Sequence, residues 1–291
     1  MRTIRGFYLF VLLLAGTTIV LAQQTAAPAT PAKPAATPPA VKLVLPAKTR
    51  IITLVVEPFW QTNCYIVAGP TGQALVIDPA DDLESISTAE KPDRYHPRGN
   101  DAKRIYAALT ENKLTLKYMI LTHGHLDHFG AIGYLKQQTG ATIMMHEGDI
   151  RPKGDPFEGC PKDTRMFDVE VPKVDRALKE DDIISLDGMT LKVIHTPGHS
   201  PGSLCLLTSY QGKPLLFSGD TLLHYYKGWD GNTYDTGRTN FHDGSGNQDL
   251  LYRMIREKLF ILPDETVVLP GHYAATTIGD EKKFSPATKA P

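Results

Sequence analysis

The most constraining feature of this chain is a short cluster of metal-ligand side chains. Residues 122–128 read Thr-His-Gly-His-Leu-Asp-His, so three imidazoles and one carboxylate fall within six positions. The whole chain has only 10 histidines in 291 residues, so chance seldom produces this spacing. Because imidazoles and carboxylates are common ligands of divalent transition metals, the cluster predicts a metal site.

Three further ligand-type residues share one sequence context. Each directly follows a glycine that ends a short apolar run: His199, Asp220 and His272. This recurrence disfavours the alternative that the cluster is only an exposed His-rich turn. Loops at one rim of a rigid scaffold can converge on a single site. Seven nitrogen and oxygen ligands suit two divalent cations that share a water, which predicts a hydrolytic two-metal centre.

The N-terminal region has the pattern of an export signal followed by a tether. Arg2 and Arg5 precede an apolar run, and small residues precede a cleavage point before Gln23, which predicts a signal peptide over residues 1–22. The alternative is an uncleaved anchor. Residues 23–48 are mostly Ala, Pro and Thr, which predicts a disordered Ala/Pro-rich linker. Residues 49–291 are then expected to form one hydrolase domain. The mature protein is expected to be periplasmic or secreted, with no stable membrane insertion after signal cleavage.

Strand-like and helical patterns alternate along the remaining chain. Apolar runs at 51–56, 64–68 and 74–77 are separated by turn signals and predict an antiparallel meander. The apolar spacing at 128–138 predicts a helix that begins where the ligand cluster ends, and a second helix is expected near 248–259. Strand clusters in both halves, with helices between them, predict a layered α/β domain with two facing sheets.

Charge and cysteine content disfavour two classes of protein. The formal net charge is −1 and no dense basic tract occurs, so a nucleic-acid partner is not expected. The three cysteines, Cys64, Cys160 and Cys205, are too few for a disulfide-built scaffold. Cys64 and Cys205 lie in apolar runs typical of buried thiols, and the sequence leaves open whether any pair forms a disulfide.

Taken together, these motifs resemble the metallo-β-lactamase superfamily over nearly all of the folded domain. The cluster at Thr122–His128 is shared across that superfamily. A narrower resemblance is to its glyoxalase II-like branch, the hydroxyacylglutathione hydrolases. It rests on Thr196–Ser203, Ser218–Leu222, Gly237–Phe241, and Gly271-His272 with Thr276–Glu281. The resemblance implies an α/β fold of the αββα sandwich type, two facing mixed sheets flanked by helices.

The resemblance also implies a role for each ligand-type residue. One metal would be held by His123, His125 and His199. The second would be held by Asp127, His128 and His272, and Asp220 would bridge the two. Asp127 and Asp220 are accordingly the predicted catalytic carboxylates. A hydroxide shared by the two cations would attack the carbonyl of a small-molecule acyl substrate, a thioester of the hydroxyacylglutathione type. The absence of thiolate from this ligand set favours zinc, with iron or manganese also tolerated.

Other residues are predicted to support the site. An insertion after Asp220 brings three aromatics and a lysine, Tyr225, Tyr226, Lys227 and Trp229, which are predicted to wall a substrate pocket. The alternative is a surface loop that packs its own aromatics. Asp78 is predicted to orient a metal-bound imidazole. His195 fits a core or supporting role better than a ligand role, and His146 is ambiguous.

Three other functions compete with a thioesterase. An exported metallo-β-lactamase fits the predicted compartment, although the motifs after residue 217 fit it less well. A persulfide dioxygenase resembles the pattern but uses mononuclear iron. A binding module that has lost catalysis would be expected to lack a ligand, and all seven are present. The sequence leaves the exact acyl group and the oligomeric state open.

Overall fold

The computed structural model describes residues 42–56, 61–88, 95–151, 171–224, 226–227, 233–234 and 246–289. At 226–227 and 233–234 it describes the backbone alone. The predicted signal peptide, most of the predicted linker and Cys160 lie outside these ranges. Within the described residues, no helix combines the length and the apolar character that a membrane crossing requires.

The elements follow one another in two halves. The first half contains β1 (Arg50–Val56), β2 (Thr62–Ala68), β3 (Gln73–Ile77), β4 (Leu83–Ser85), β5 (Tyr95–Pro97), α1 (Asn100–Glu111), β6 (Thr115–Leu121), α2 (Ile132–Thr139), β7 (Thr142–His146) and β8 (Arg176–Leu178). The second half contains β9 (Ile183–Leu186), β10 (Met189–His195), β11 (Leu204–Tyr210), β12 (Lys213–Gly219), β13 (Tyr226–Lys227), β14 (Thr233–Tyr234), α3 (Gln248–Met254), β15 (Val267–Pro270), β16 (Thr276–Thr277) and α4 (Ile278–Phe284).

Two mixed sheets of six strands form the centre of the domain. The first sheet has the order β1-β2-β3-β6-β7-β8, in which β3, β6, β7 and β8 run parallel. The second sheet has the order β16-β15-β12-β11-β10-β9, in which β12 and β15 run parallel and the other neighbours antiparallel. Parallel neighbours end at the same edge of a sheet, so the loops that follow them lie together.

An apolar core fills the space between the sheets. Along β3, Leu75 and Ile77 pack into this core, whereas Val76 packs on the other face. The alternation follows from the two-residue period of a strand. From the second sheet, Phe217 packs against Tyr65 with ring centroids 5.3 Å apart. Both faces of β3 are buried, which explains why its sequence is a continuous apolar run.

Helices cover the outer face of each sheet. Ile105 of α1 and Leu135 of α2 pack on the first sheet in a second apolar cluster. Leu251 of α3 and Ile278 of α4 pack on the second sheet, together with a turn of π-helix at Ile255–Leu259 that continues α3. The predicted αββα sandwich is confirmed. Cys64 and Cys205 are buried free thiols.

A cluster of carboxylates fixes the start of α1. Asp81 accepts hydrogen bonds from the backbone N–H groups of Gly99, Asp101 and Ala102, at 2.7, 3.0 and 3.1 Å. These groups have no acceptor within the helix, so a carboxylate here stabilises its first turn. Burial of this carboxyl raises its pKa to about 7. Asp81 therefore caps the helix, and Asp82 adds to the cap by accepting from the N–H of Asn100 at 3.0 Å.

The helix after the ligand cluster starts later than its apolar spacing predicts. Leu126–His128 forms a short 3₁₀ turn, and α2 begins only at Ile132. Between them the chain docks on the loop after β3. The N–H of Ala131 donates to the carbonyl of Pro79 at 2.9 Å, and a Cβ at Gly130 would lie 2.9 Å from the Cβ of Asp81. This tertiary contact replaces the first helical turn that the sequence pattern predicts.

The folded part begins before the predicted boundary at residue 49. Val44 bridges Thr190, and the N–H of Leu45 donates to the carbonyl of Ser209 at 2.6 Å. The side chain of Leu45 is 2% exposed and packs in the core between the sheets. The end of the predicted linker therefore belongs to the domain. The Ala/Pro-rich composition upstream concealed one short apolar segment.

Candidate metal centre

The seven predicted ligands lie in loops at one edge of the two sheets. His123 and the three ligands after it follow the end of β6, and His199 lies in the turn between β10 and β11. Asp220 follows β12, and His272 follows β15, which is the parallel neighbour of β12. Because the strands fix where each loop starts, residues up to 149 positions apart in sequence share one site.

Three imidazoles form the first group. The Nδ1 of His125 lies 2.9 Å from the Nε2 of His199, and that Nε2 lies 3.1 Å from the Nε2 of His123. All three side chains are buried. Ring nitrogens that converge in this way offer their lone pairs to one point, as a tetrahedral metal site requires.

Two imidazoles and a carboxylate form the second group. The Nε2 atoms of His128 and His272 lie 3.2 Å apart. Asp127 completes the group, with its Oδ2 3.5 Å from each of these two nitrogens. The Asp127 side chain is 16% exposed, whereas that of His128 is fully buried. The second group is therefore the side of the centre that faces solvent.

Asp220 lies between the two groups. Its Oδ2 is 3.5 Å from the Nε2 of His199 in the first group and 3.1 Å from the Nε2 of His272 in the second. Its Oδ1 is 3.5 Å from the Nε2 of His128. Among the described residues, no group donates a hydrogen bond to this buried Oδ1. A buried carboxylate oxygen with no donor is the atom that a cation would be expected to complete.

The electrostatics of the first group favour neutral imidazoles. The pKa of His125 and of His199 is lowered to about 3, mainly by burial and, for His199, also by the neighbouring imidazole of His125. Burial and the nearby rings of His128, His125 and His199 hold the pKa of His123 well below its usual value. A neutral ring keeps a lone pair for a metal, so this donor set fits a divalent cation.

The second group is more strongly influenced by carboxylates. Burial alone lowers the pKa of His128, but Asp220, Asp127 and Asp78 raise it well above its usual value. Burial raises the pKa of Asp220, but His272 and His128 hold it well below its usual range. Asp220 is thus an anion. Its surroundings stabilise the negative charge that a bound cation would also require.

Asp78 holds the rear of the centre. Its carboxylate accepts hydrogen bonds from the N–H and the hydroxyl of Thr122, both at 2.8 Å, and its Oδ2 lies 3.1 Å from the Nδ1 of His128. A carboxylate behind an imidazole fixes the ring and directs the other nitrogen towards a metal. The sequence predicted this kind of contact for Asp78.

Asp149 connects the two loops that carry the first group, and no sequence pattern pointed to it. Its Oδ2 accepts from the N–H of Gly124 at 2.8 Å and from the hydroxyl of Ser200 at 2.6 Å. Its Oδ1 accepts from the N–H of Gly202 at 2.6 Å. Gly124 separates His123 from His125, and Ser200 follows His199, so one buried carboxylate fixes both loops.

Asn63 and Tyr65 fix the last ligand loop in a similar way. The side-chain amide of Asn63 donates to the carbonyls of Pro270 and Tyr273, at 3.1 and 2.8 Å. The hydroxyl of Tyr65 donates to the carbonyl of Pro270 at 2.7 Å. Both residues lie on β2, more than 200 positions before this loop. They hold the backbone on both sides of His272.

The glycine before a ligand is required by close packing. A Cβ at Gly271 would collide with the carboxylate of Asp220, and one at Gly219 would collide with the Thr122 side chain. Gly219 also has a φ of 48°, which favours glycine. The Gly-ligand pattern in the sequence therefore reflects how tightly the ligand loops approach one another.

The structure separates the remaining predicted residues from the centre or leaves them outside its description. His146 and His195 stack on each other, with ring centroids 3.7 Å apart and planes 13° apart. Neither belongs to the ligand groups. Tyr225 and Trp229 lie outside the described residues, and Tyr226 and Lys227 are described only as the strand β13, paired with β14. The predicted substrate pocket stays a prediction.

Comparison with known proteins identifies the family. A family model for the metallo-beta-lactamase superfamily matches residues 58–272, a range that includes all seven residues of the centre. The chain belongs to the metallo-β-lactamase superfamily. As a member of this superfamily it is a metal-dependent hydrolase, and the His and Asp groups described above are its candidate ligands.

Relatives within the superfamily include both hydrolase branches that the sequence suggested. The chain is 32% identical over 233 residues to the hydroxyacylglutathione hydrolase GloC of Haemophilus influenzae, covering 78% of this chain and 92% of that protein. The crystal structure of BLEG-1, a B3 metallo-beta-lactamase, matches with a TM-score of 0.61 and 27% identity, covering 81% of this chain and 98% of that one. The di-iron-bound form of TTHA1623 matches with a TM-score of 0.57 and 25% identity, covering 81% and 98%.

Proposed function

We propose that this metallo-β-lactamase superfamily protein is a binuclear metal-dependent hydrolase that cleaves a thioester of the hydroxyacylglutathione type. The observation that carries the proposal is the position of Asp220, which contacts His199 in one ligand group and His272 in the other. Two complete groups are what a two-cation hydrolase needs.

The ligand groups define which residues would hold each cation. His123, His125 and His199 would hold the first. Asp127, His128 and His272 would hold the second, with Asp220 shared. A pair of divalent cations supplies a polarised carbonyl and a water that is acidic near neutral pH. The donor set contains no thiolate, so zinc is proposed, and iron and manganese use the same donor types.

The residues around the ligands do the positioning. Asp78 orients the ring of His128, Asp149 fixes the backbone at His123 and His199, and Asn63 fixes the backbone at His272. The centre is buried except at Asp127, so water is excluded from most of it. Charges that are held rigidly in a dry site stabilise a developing oxyanion more strongly than mobile charges in water.

Relatives support the choice of substrate class. The similarity to GloC extends over most of both chains, and GloC is named a hydroxyacylglutathione hydrolase. A second candidate is β-lactam hydrolysis, because the fold match to the B3 metallo-beta-lactamase BLEG-1 covers 98% of that chain. We also propose that the protein is exported, on the strength of the basic and apolar pattern at residues 1–22. Cell fractionation and N-terminal sequencing test this, and a cytosolic full-length chain would contradict it.

The proposed activity is tested with the metal-loaded protein and two substrates, S-lactoylglutathione and nitrocefin. The expected result is turnover of the thioester at least about a hundredfold above that of Asp220→Asn, since removing one charged group from a preorganised site costs about this much. Asp264→Asn is the matched control, because that carboxylate is 71% exposed and pairs only with Lys282 among the described contacts. Turnover of nitrocefin alone would establish the second candidate. Turnover of neither, with a single iron per chain, would refute hydrolysis and favour persulfide oxidation.

A further inference from the structure

Tyr273, the residue directly after the last ligand, has a backbone conformation that tyrosine rarely adopts. Its φ is 64°, in the left-handed region that favours glycine. A bulky residue in this region is strained, and strain of this kind concentrates at functional sites. An observed outlier is therefore a reason to ask what the side chain does.

The surrounding loop holds this conformation in place. The amide of Asn63 donates to the carbonyl of Tyr273 at 2.8 Å and to that of Pro270 at 3.1 Å. The backbone N–H of Asn63 donates to the carbonyl of Gly271 at 2.7 Å. These bonds fix both sides of His272, so the chain cannot relax Tyr273 without moving a ligand.

The Tyr273 ring does not serve the core. It is 47% exposed, and the two residues that follow it, Ala274 and Ala275, are also exposed. Tyr273 is thus the bulky side chain in an exposed segment whose next two residues are alanines. Folding gains little from a ring that is half in solvent, so burial does not explain why a tyrosine occupies a position suited to glycine.

The ring stands at the open side of the metal centre. Its centroid lies 6.0 Å from that of His272, whose Nε2 is 3.5 Å from the Oδ2 of Asp127. Asp127 is the most exposed of the seven predicted ligands, so among the described residues this is the side of the centre that is most open to solvent. A group that projects from a substrate on this side passes next to the tyrosine ring.

We propose that Tyr273 is a specificity-determining residue, whose strained backbone presents the ring to an apolar or aromatic group of the acyl substrate at the mouth of the centre. This inference rests on the proposed hydrolytic function. The apolar group belongs either to the acyl part or to the leaving thiol, and both present the same chemistry to the ring. An aromatic contact of this kind contributes about tenfold in relative specificity.

The test compares Tyr273→Gly, Tyr273→Ala and Tyr273→Phe in the metal-loaded full chain. In one arm the acyl group varies. S-mandeloylglutathione carries a phenyl group where S-lactoylglutathione carries a methyl group. In the other arm the thiol varies, with benzyl against ethyl thioesters of lactate. Each arm measures the ratio of kcat/KM for the aromatic substrate to that for its aliphatic partner.

In one of the arms this kcat/KM ratio is expected to fall about tenfold in the Gly and Ala variants and to stay at the wild-type value in the Phe variant. The arm that changes identifies the part of the substrate that meets the ring. Phe284→Ala is the matched control, since that ring is 54% exposed on α4, on the outer face of the second sheet, and its loss should change neither ratio. Ratios unchanged in both arms would overturn the proposal.

Two readouts do not depend on turnover. The Gly variant should unfold about 2 °C or more above the Ala variant, because only glycine relieves the left-handed backbone. Calorimetry compares the binding of mandelate with that of lactate, and the binding of benzyl mercaptan with that of ethanethiol. For one of these two pairs the binding ratio should fall in both variants. If the wild type hydrolyses no thioester, the proposed function fails. In that case, equal melting temperatures and binding ratios unchanged for both pairs would separately overturn the role of Tyr273.

Discussion

Replacing Asp149 tests whether the centre depends on a residue that touches no predicted ligand side chain. Its carboxylate is 1% exposed and accepts hydrogen bonds from Gly124, Ser200 and Gly202. In Asp149→Ala three buried donors lose their acceptor, at about 1–3 kcal/mol each when bonds are lost singly. Since such losses are not additive, we expect the free energy of unfolding to fall by about 3–5 kcal/mol.

Asp149→Asn distinguishes the effect of losing a hydrogen-bond acceptor from the effect of losing side-chain volume. An amide oxygen can still accept from Gly124 and Ser200, but the amide nitrogen then faces the N–H of Gly202. One mismatched donor costs about 1–3 kcal/mol. The Asn variant should therefore lose less stability than the Ala variant, and its metal affinity should fall about 10–100-fold because both ligand loops are less well held.

Urea denaturation and competitive metal titration measure the two effects. Asp264→Asn is again a suitable control, because an exposed ion pair contributes about 1 kcal/mol or less. An Asn variant within about 0.5 kcal/mol of the wild type, with unchanged metal affinity, would refute the positioning role assigned to Asp149.

Three further predictions concern the rest of the domain. Leu45→Ala should lower the free energy of unfolding by about 2–5 kcal/mol in urea denaturation, because Leu45 packs between the sheets. Lys48→Ala, at an exposed position, should change it by less than about 0.5 kcal/mol. Equal effects would contradict a domain boundary before residue 45. EDTA should lower the Tm in calorimetry, and added zinc should restore it, since a ligand of the native state alone stabilises that state. Burial holds the pKa of His146 at about 4, so the stability that it contributes is present above about pH 6.5 and is lost as the pH falls towards 4. The free energy of unfolding of His146→Asn should accordingly change less between pH 7 and pH 5 than that of the wild type. An equal change in both proteins would contradict this role of His146.

The sequence predicted much of the centre because its signals are local. Each segment that contains ligands follows an apolar run, and Gly219 and Gly271 mark the places where ligand loops pack tightly. Short apolar runs such as residues 74–77 predicted strands, and in β3 the neighbours Leu75 and Val76 are buried on opposite faces. Local patterns of this kind carry the layer architecture without knowledge of which strands are neighbours.

The residues that the sequence did not reveal act over long distances. Asn63 reaches a loop 207 positions away, and Asp149 reaches Gly202, 53 positions away. Each is a single polar residue with no repeated pattern around it, and its importance lies in backbone groups that only the fold brings near. Leu45 was missed for a different reason, because the composition of a long window outweighed one short apolar segment. His146 and His195 meet only because β7 and β10 end at the same edge of the two sheets.

The number of metal ions per chain distinguishes a two-cation centre from a single-metal site. We expect about two divalent ions per chain in the purified wild-type protein by elemental mass spectrometry. His272→Ala removes a ligand of the second group only, so about one ion per chain should remain there, held by His123, His125 and His199. A wild-type protein that retains a single ion after incubation with excess zinc would contradict the two-cation centre.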